Sequence, residues 1–164
     1  MDEMAINSDR NEDTMSGKFL TFKVGKETYG IEIRYVIDIV GIQPLTEMPE
    51  MPQYMKGIIN LRGKVIPIMD VRLRLKMSGK EYDDRTCIIV VDMNGLSIGL
   101  VIDLVCEVLT ITDDEIMKKP ELITTEGCDY IKNIARVDNQ VVLLIDCGKL
   151  LSTDDCGEVA ACLS

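Results

Sequence analysis

Two apolar runs joined by a tight polar bend give this chain its plainest pattern: Gly57-Ile-Ile-Asn-Leu-Arg-Gly-Lys-Val-Ile-Pro-Ile-Met-Asp70. The pattern predicts a β-hairpin that turns at Arg62-Gly63. Upstream, Phe19-Leu-Thr-Phe-Lys-Val24 is strand-like and Gly25-Lys26-Glu27 is a turn. Tyr29-Gly-Ile-Glu-Ile33 is a second strand, with Ile31 and Ile33 on one face at period two. Val36, Ile37, Ile39 and Val40 follow with Asp38 among them, a run that admits a short helical turn or a strand. Pro44, Pro49 and Pro52 exclude a helix or central strand over 43–53 and predict a rigid surface connection. Beyond the hairpin lie Val71-Arg-Leu-Arg-Leu75 and a polar loop over 76–85.

The same pattern then returns. A shift of 76 superposes 55–75 on 131–151 without a gap, bringing Lys56 onto Lys132, Ile58 onto Ile134, Val65 onto Val141 and Asp70 onto Asp146. The turn residue Gly63 meets Asn139, the two residue types best suited to positive φ, while Arg62 meets Asp138. A shift of 69 superposes Gly30 on Gly99, Val36 on Val105, Asp38 on Glu107 and Ile39 on Val108. The change of shift places about seven inserted residues within 110–129. There Thr112-Asp-Asp-Glu115 has the spacing of a capping box and predicts a helix start, which explains its acids without a metal. Two copies of about five short strands predict a mainly β fold of two small barrel subdomains, built from 18–75 and 87–151 with short helices, packed across a central apolar seam.

Charge is distributed unevenly. Residues 1–17 carry −4 and 152–164 carry −3, which leaves −3 of the total −10 for the rest. The first segment reads as a disordered acidic arm (1–17) and the last as an acidic tail (153–164) around a folded unit over 18–152. No basic field offers itself to nucleic acid. No apolar run is long enough to span a bilayer and no basic-then-apolar leader precedes the fold, so a cytoplasmic location without membrane insertion is expected. With no histidine, catalytic Ser-His-Asp or Cys-His arrangements and Cys/His zinc sites are excluded. No phosphate-binding glycine motif is present. Catalytic residues, metal and cofactors are therefore all expected to be none. Cys87, Cys106 and Cys147 lie in apolar runs and read as buried reduced thiols. Cys156 and Cys162 in the tail are the pair left for a redox role.

Binding is the better expectation. Val36, Ile39, Val105 and Val108 take matching places in the two copies and would line the seam. Each alone also fits plain core packing. Arg62 at a hairpin tip is suited to an interface, since arginine is enriched at binding hot spots.

The strings Lys56-Gly-Ile-Ile-Asn-Leu-Arg-Gly-Lys-Val-Ile-Pro-Ile-Met-Asp70, Phe19-Leu-Thr-Phe22, Tyr29-Gly-Ile-Glu-Ile33, Val36-Ile-Asp-Ile39, Gly99-Leu-Val-Ile-Asp103 and Leu143-Leu-Ile-Asp146 resemble the CheW family, the adaptors of bacterial chemotaxis arrays. The resemblance covers about 18–152. It implies two SH3-like five-stranded β-barrels and no catalysis. It implies two partners: the regulatory domain of the histidine kinase CheA and the cytoplasmic tip of a methyl-accepting chemoreceptor, in membrane-anchored arrays. By the same resemblance, a receptor groove between the subdomains would use Val36, Asp38, Ile39, Gly57, Arg62, Gly99, Val105 and Val108. Gly57 and Gly99 would allow close backbone approach. The kinase would contact the first barrel, in part through Gly41, Pro44 and Leu45. Asn133 stands where many relatives have glycine. A stand-alone adaptor is expected. The alternative is a CheW-like scaffold serving another receptor–kinase array, one that controls pili, development or gene regulation.

Overall fold

The computed structural model describes residues 17–93, 95–118 and 130–150. The arm, the tail, most of the predicted insertion, and Cys128, Cys156 and Cys162 lie outside these residues. Strands β1 (Lys18–Val24) and β2 (Glu27–Glu32) form the first hairpin. A single 3-10 turn at Ile33–Tyr35 leads into β3 (Val36–Gly41), so the helical turn precedes the apolar run and the run itself is strand. The proline-rich connection holds no strand, only a bridge from Thr46 to Ile58. Then come β4 (Met55–Leu61), β5 (Lys64–Asp70) and a one-turn helix α1 (Val71–Arg74). The second copy repeats the order: β6 (Cys87–Met93), β7 (Leu96–Ile102), β8 (Leu104–Thr110), β10 (Ile131–Val137), β11 (Gln140–Ile145) and α2 (Cys147–Leu150). The short strand β9 (Ile116–Lys118) precedes β10 and has the bridge at Thr46 as its counterpart.

Two sheets result, in the orders β8-β1-β2-β11-β10-β9 and β3-β6-β7-β5-β4. Each draws on both copies of the repeat, which corrects the expectation that 18–75 and 87–151 each build one barrel. The first hairpin β1–β2 sits among strands of the second half, and β6–β7 sits among strands of the first. The exchange is symmetric. Strand β2 joins β11 in parallel with Gly30 opposite Leu144, and β7 joins β5 in parallel with Gly99 opposite Ile68. The bends explain it. The turn at Ile33–Tyr35 carries the chain out of the first sheet before β3 can pair with β2, and the bend at Asp103 returns it before β8 can pair with β7. A sequence repeat identifies equivalent strands, and says nothing of which strands are partners.

Three apolar clusters match this arrangement. Each sheet curls around six buried residues of its own: Phe19, Ile111, Ala135, Val137, Val142 and Leu144 in one, Ile59, Ile66, Ile68, Ile88, Val90 and Val101 in the other. A larger cluster between the sheets contains 17 buried residues, among them Phe22, Ile31, Met69, Ile89, Leu100 and Ile145. The central seam is thus the main core. A barrel of this size buries too little surface to be stable alone, so the two depend on each other.

Two local expectations change. The capping box at Thr112 is present, with the Glu115 carboxylate accepting from the Thr112 amide at 3.0 Å, but it starts only one 3-10 turn, which β9 then follows. Of the three cysteines in apolar runs, Cys147 is buried, Cys87 is half-buried and Cys106 is exposed. Strand β8 is the edge of its sheet, so the alternate side of an apolar run there faces solvent.

Candidate functional site

The hairpin β4–β5 turns through two residues with positive φ, Arg62 at 53° and Gly63 at 82°. Its counterpart turns through Asp138 at 50° and Asn139 at 64°. Positive φ at both central positions gives the twist that matches flanking strands in a two-residue turn. The Asn60 side chain supports the first turn by accepting from the Gly63 amide at 3.0 Å. Aspartate and asparagine tolerate this conformation; arginine does so at a cost. A residue kept at such a position against its backbone preference points to a use for its side chain.

That side chain reaches across the barrel. Arg62 Nη1 lies 2.8 Å from Asp38 Oδ2. Arg62 belongs to the hairpin at one end of the second sheet and Asp38 to the edge strand β3 at the other, so the pair spans the gap between the sheet's two ends. A shallow cavity of about 200 Å3 beside it is lined by Ile37, Leu61, Lys64, Ile66 and Val90. Asp38 is mostly sheltered and its other oxygen accepts the Ile39 amide at 2.9 Å. Arg62 is 77% exposed, so most of its N–H donors remain open to a partner. The equivalent positions in the other sheet hold Glu107 and Asp138, two acids that cannot pair. The Thr21 hydroxyl on the neighbouring strand β1 instead bonds the Glu107 backbone at the register shift between β1 and β8, donating to its carbonyl at 2.7 Å and accepting its amide at 3.2 Å.

Val36, Ile39, Val105 and Val108 fall into two matched pairs on the free edges β3 and β8. Their cross-strand partners are Val91, Ile89, Phe22 and Leu20, all members of the central cluster. All four therefore lie on the seam side. Val36 and Val105 are half-buried against the cluster, while Ile39 (42%) and Val108 (49%) stay exposed.

Gly57 and Gly99 are placed differently. Gly57 has φ +140° and is covered by its own chain, where a Cβ would run into the Thr46 carbonyl. Gly99 is buried, and a Cβ there would lie 2.6 Å from Ile68 Cδ1 and 2.7 Å from Ile88 Cγ2. Gly57 closes on the backbone of the proline-rich connection and Gly99 on side chains of the two flanking strands; both approaches are within this chain, which corrects the expectation that they leave room for a partner's backbone. Gly41 and Pro44 are exposed at and beyond the end of β3; Leu45 packs partly against the barrel interior.

Several residues that hold this frame escaped the sequence reading. Arg72 grips Asp103 through Nε at 2.9 Å and Nη2 at 2.6 Å, and Asp103 also accepts the Gly25 amide at 2.8 Å. This group ties α1 to the bend between β7 and β8 and to the turn of β1–β2. Burial would raise the Asp103 pKa, but the Arg72 guanidinium and the Gly25 amide outweigh it and hold the carboxyl below its ordinary value. Arg74 lies over the rings of Tyr54 and Tyr130, 4.8 and 4.6 Å from their centroids, and donates to the Leu150 carbonyl at 2.9 Å. Tyr54 superposes on Tyr130 under the shift of 76, one residue outside the gapless block, and that was the available signal. Asp70 caps α1 through the Arg72 amide and accepts from the Tyr82 hydroxyl at 2.8 Å, pinning the loop after α1.

The CheW-like domain family matches residues 18–155. The chemotaxis protein CheW of Klebsiella aerogenes is 34% identical over 143 residues, covering 87% of this chain and 86% of that protein. CheW of Bacillus subtilis is 31% identical over 137 residues, with 84% and 88% covered. Among solved structures, the scaffolding protein TtCheW from Thermoanaerobacter tengcongensis superposes with a TM-score of 0.77 at 31% identity, covering 85% of this chain and 94% of that one. A family match over nearly all of the two-sheet unit, joined to this likeness in sequence and fold, establishes that the chain belongs to the CheW family of chemotaxis proteins.

Proposed function

We propose that this protein is a non-catalytic adaptor that couples the cytoplasmic tip of a chemoreceptor to the histidine kinase CheA, working at receptor arrays on the inner side of the membrane. Among the described residues no helix is long and apolar enough to cross a membrane, which accords with a protein held at the array by its partners. The observation that carries the reading is the Asp38–Arg62 pair: a guanidinium held on a strained hairpin tip and oriented by a sheltered carboxylate, yet largely open to solvent. Such an arginine can bond a second acceptor bidentately without losing its first.

Ile39, which follows Asp38 on β3, and Val108, on the edge of the other sheet, extend the apolar seam to the surface. An amphipathic receptor helix would lay its apolar face along them while Arg62 fixes its register. The kinase regulatory domain would use the first barrel, near Gly41 and Pro44. Coupling then requires contacts that differ between the receptor's two signalling states.

The test is pull-down of a CheA regulatory domain and a receptor-tip fragment by wild type, Arg62→Ala and Val36→Asp. Wild type is expected to capture both. Each variant is expected to lose roughly 30-fold or more in receptor affinity, as for a hot-spot residue, and to keep the kinase. Wild type capturing neither partner would overturn the proposal.

A further inference from the structure

An open cavity of about 810 Å3 lies between the turn of β1–β2 and the loop after α1, beside the first residue of β8, and shares no lining residue with the Asp38–Arg62 cleft. Its charges do not cancel. Arg72 is matched by Asp103 at 2.6 Å and Lys80 by Asp83 at 3.4 Å. Lys23, Lys26 and Arg85 also line the cavity, with Glu27 the one carboxylate left to answer them, and none of the three forms an ion pair among the described residues. A concentrated positive basin on a chain of net charge −10 is unexpected. Low-dielectric walls focus such a field and favour an acidic occupant.

We propose that the basin is the docking site of the chain's own acidic segment 154–158, which carries Asp154, Asp155 and Glu158. Charge and reach both support this occupant. The segment brings three negative charges to a lining that holds two more cations than carboxylates, five against three. Leu150, where the described chain stops, gives its carbonyl to Arg74, and Arg74 shares a single helical turn with Arg72 on the basin wall. One arginine side chain on either side of that turn bounds the distance from Leu150 to the basin at roughly 20 Å, while the eight residues to Glu158 span up to roughly 27 Å. The acidic arm before β1 is the rival occupant. It enters at Lys18, the opposite end of the strand from Lys23, about 17 Å away. Asp13, five residues before Lys18, reaches Lys23 only at full extension, which leaves Glu12 and Asp9 as the arm's candidates, and the cross-links below separate these from the tail. Self-occupancy would keep acidic segments of other proteins out of the basin, and the contact would weaken as salt rises.

Zero-length carbodiimide cross-linking of the full chain tests this, with an equal mixture of 14N- and 15N-labelled protein to separate links within one molecule from links between two. The expected result is an amide bond from Lys23, Lys26 or Lys80 to Asp154, Asp155 or Glu158 within one molecule, lost at high salt. In the triple variant Asp154→Asn, Asp155→Asn, Glu158→Gln, the backbone amide resonances of 23–27 and 80–85 are expected to shift. Links only between molecules, links only to Asp9, Glu12 or Asp13, or unchanged resonances in the triple variant would each overturn the proposal.

Discussion

Replacing Gly99 with alanine separates a packing role from a docking role at this position. The new Cβ would lie 2.6 Å from Ile68 Cδ1 and 2.7 Å from Ile88 Cγ2, on side chains that are fully buried. Carbon atoms at rest sit about 3.5–4.0 Å apart, so two branched side chains on flanking strands must each retreat by about 1 Å. Overpacking of this kind costs about 1–3 kcal/mol. Loss of glycine's unfolded-state freedom returns about 0.5 kcal/mol, leaving a net loss near 1–2 kcal/mol. For a chain of this length that lowers Tm by roughly 5 °C. Urea unfolding followed by far-UV circular dichroism measures it, since there is no tryptophan to follow by fluorescence. Two controls come from the structure. Ile68→Val removes the nearer obstructing atom, so Gly99→Ala with Ile68→Val should be more stable than the sum of the single effects by about 0.5 kcal/mol or more. Gly30→Ala, at the symmetric position, meets its nearest atoms at 3.1 and 3.2 Å and should cost less. If Gly99→Ala unfolds at the wild-type urea concentration and instead loses the receptor fragment, the packing argument is refuted and Gly99 is a contact residue.

Asp103→Asn should cost about 2 kcal/mol at pH 7 by weakening a charged hydrogen-bonded group. Because the folded pKa lies below the ordinary value, this contribution is complete above about pH 4 and disappears as pH falls through the folded value. The urea midpoints of wild type and variant should therefore converge in acid, and a gap that persists or widens there would contradict the pairing. Among the described cysteines, thiol alkylation with site-resolved mass spectrometry should modify Cys106 before Cys87 and Cys147. Cys147, buried and pushed up to about 12, should react only after unfolding. Equal rates in the native protein would show that α2 opens readily.

Local features were legible in the sequence and non-local ones were not. The hairpin turning at Arg62-Gly63 could be read because a two-residue turn needs positive φ and the sequence supplies glycine and asparagine at matching sites. Strands β1 and β2 followed from a strand-like run and a period-two alternation over a few residues. The exchange of hairpins between sheets left no local mark, since it depends on a three-residue turn at Ile33–Tyr35 and a bend at Asp103. Arg62 and Asp38 were both named, but their pairing joins opposite ends of a sheet and only closure of the barrel shows it. Gly57 and Gly99 were read as openings because a glycine in a string does not say which chain approaches it. Arg72, Arg74 and Asp103 were passed over because a charged residue next to an apolar strand reads equally well as solvated.

Hairpin exchange also has a bearing on how the chain is made. Strand β1 leaves the ribosome early, but its partner β8 follows some 80 residues later and the parallel partner of β2, β11, more than 110 residues later. Until then the emerging hairpin shows Phe22, Tyr29 and Ile31 to solvent with both of its outer edges unpaired. Such an edge invites pairing with a neighbouring nascent chain. Neither sheet can be completed from the first half alone, so folding awaits the last strand, and the early hairpin stays open to wrong pairing until it arrives.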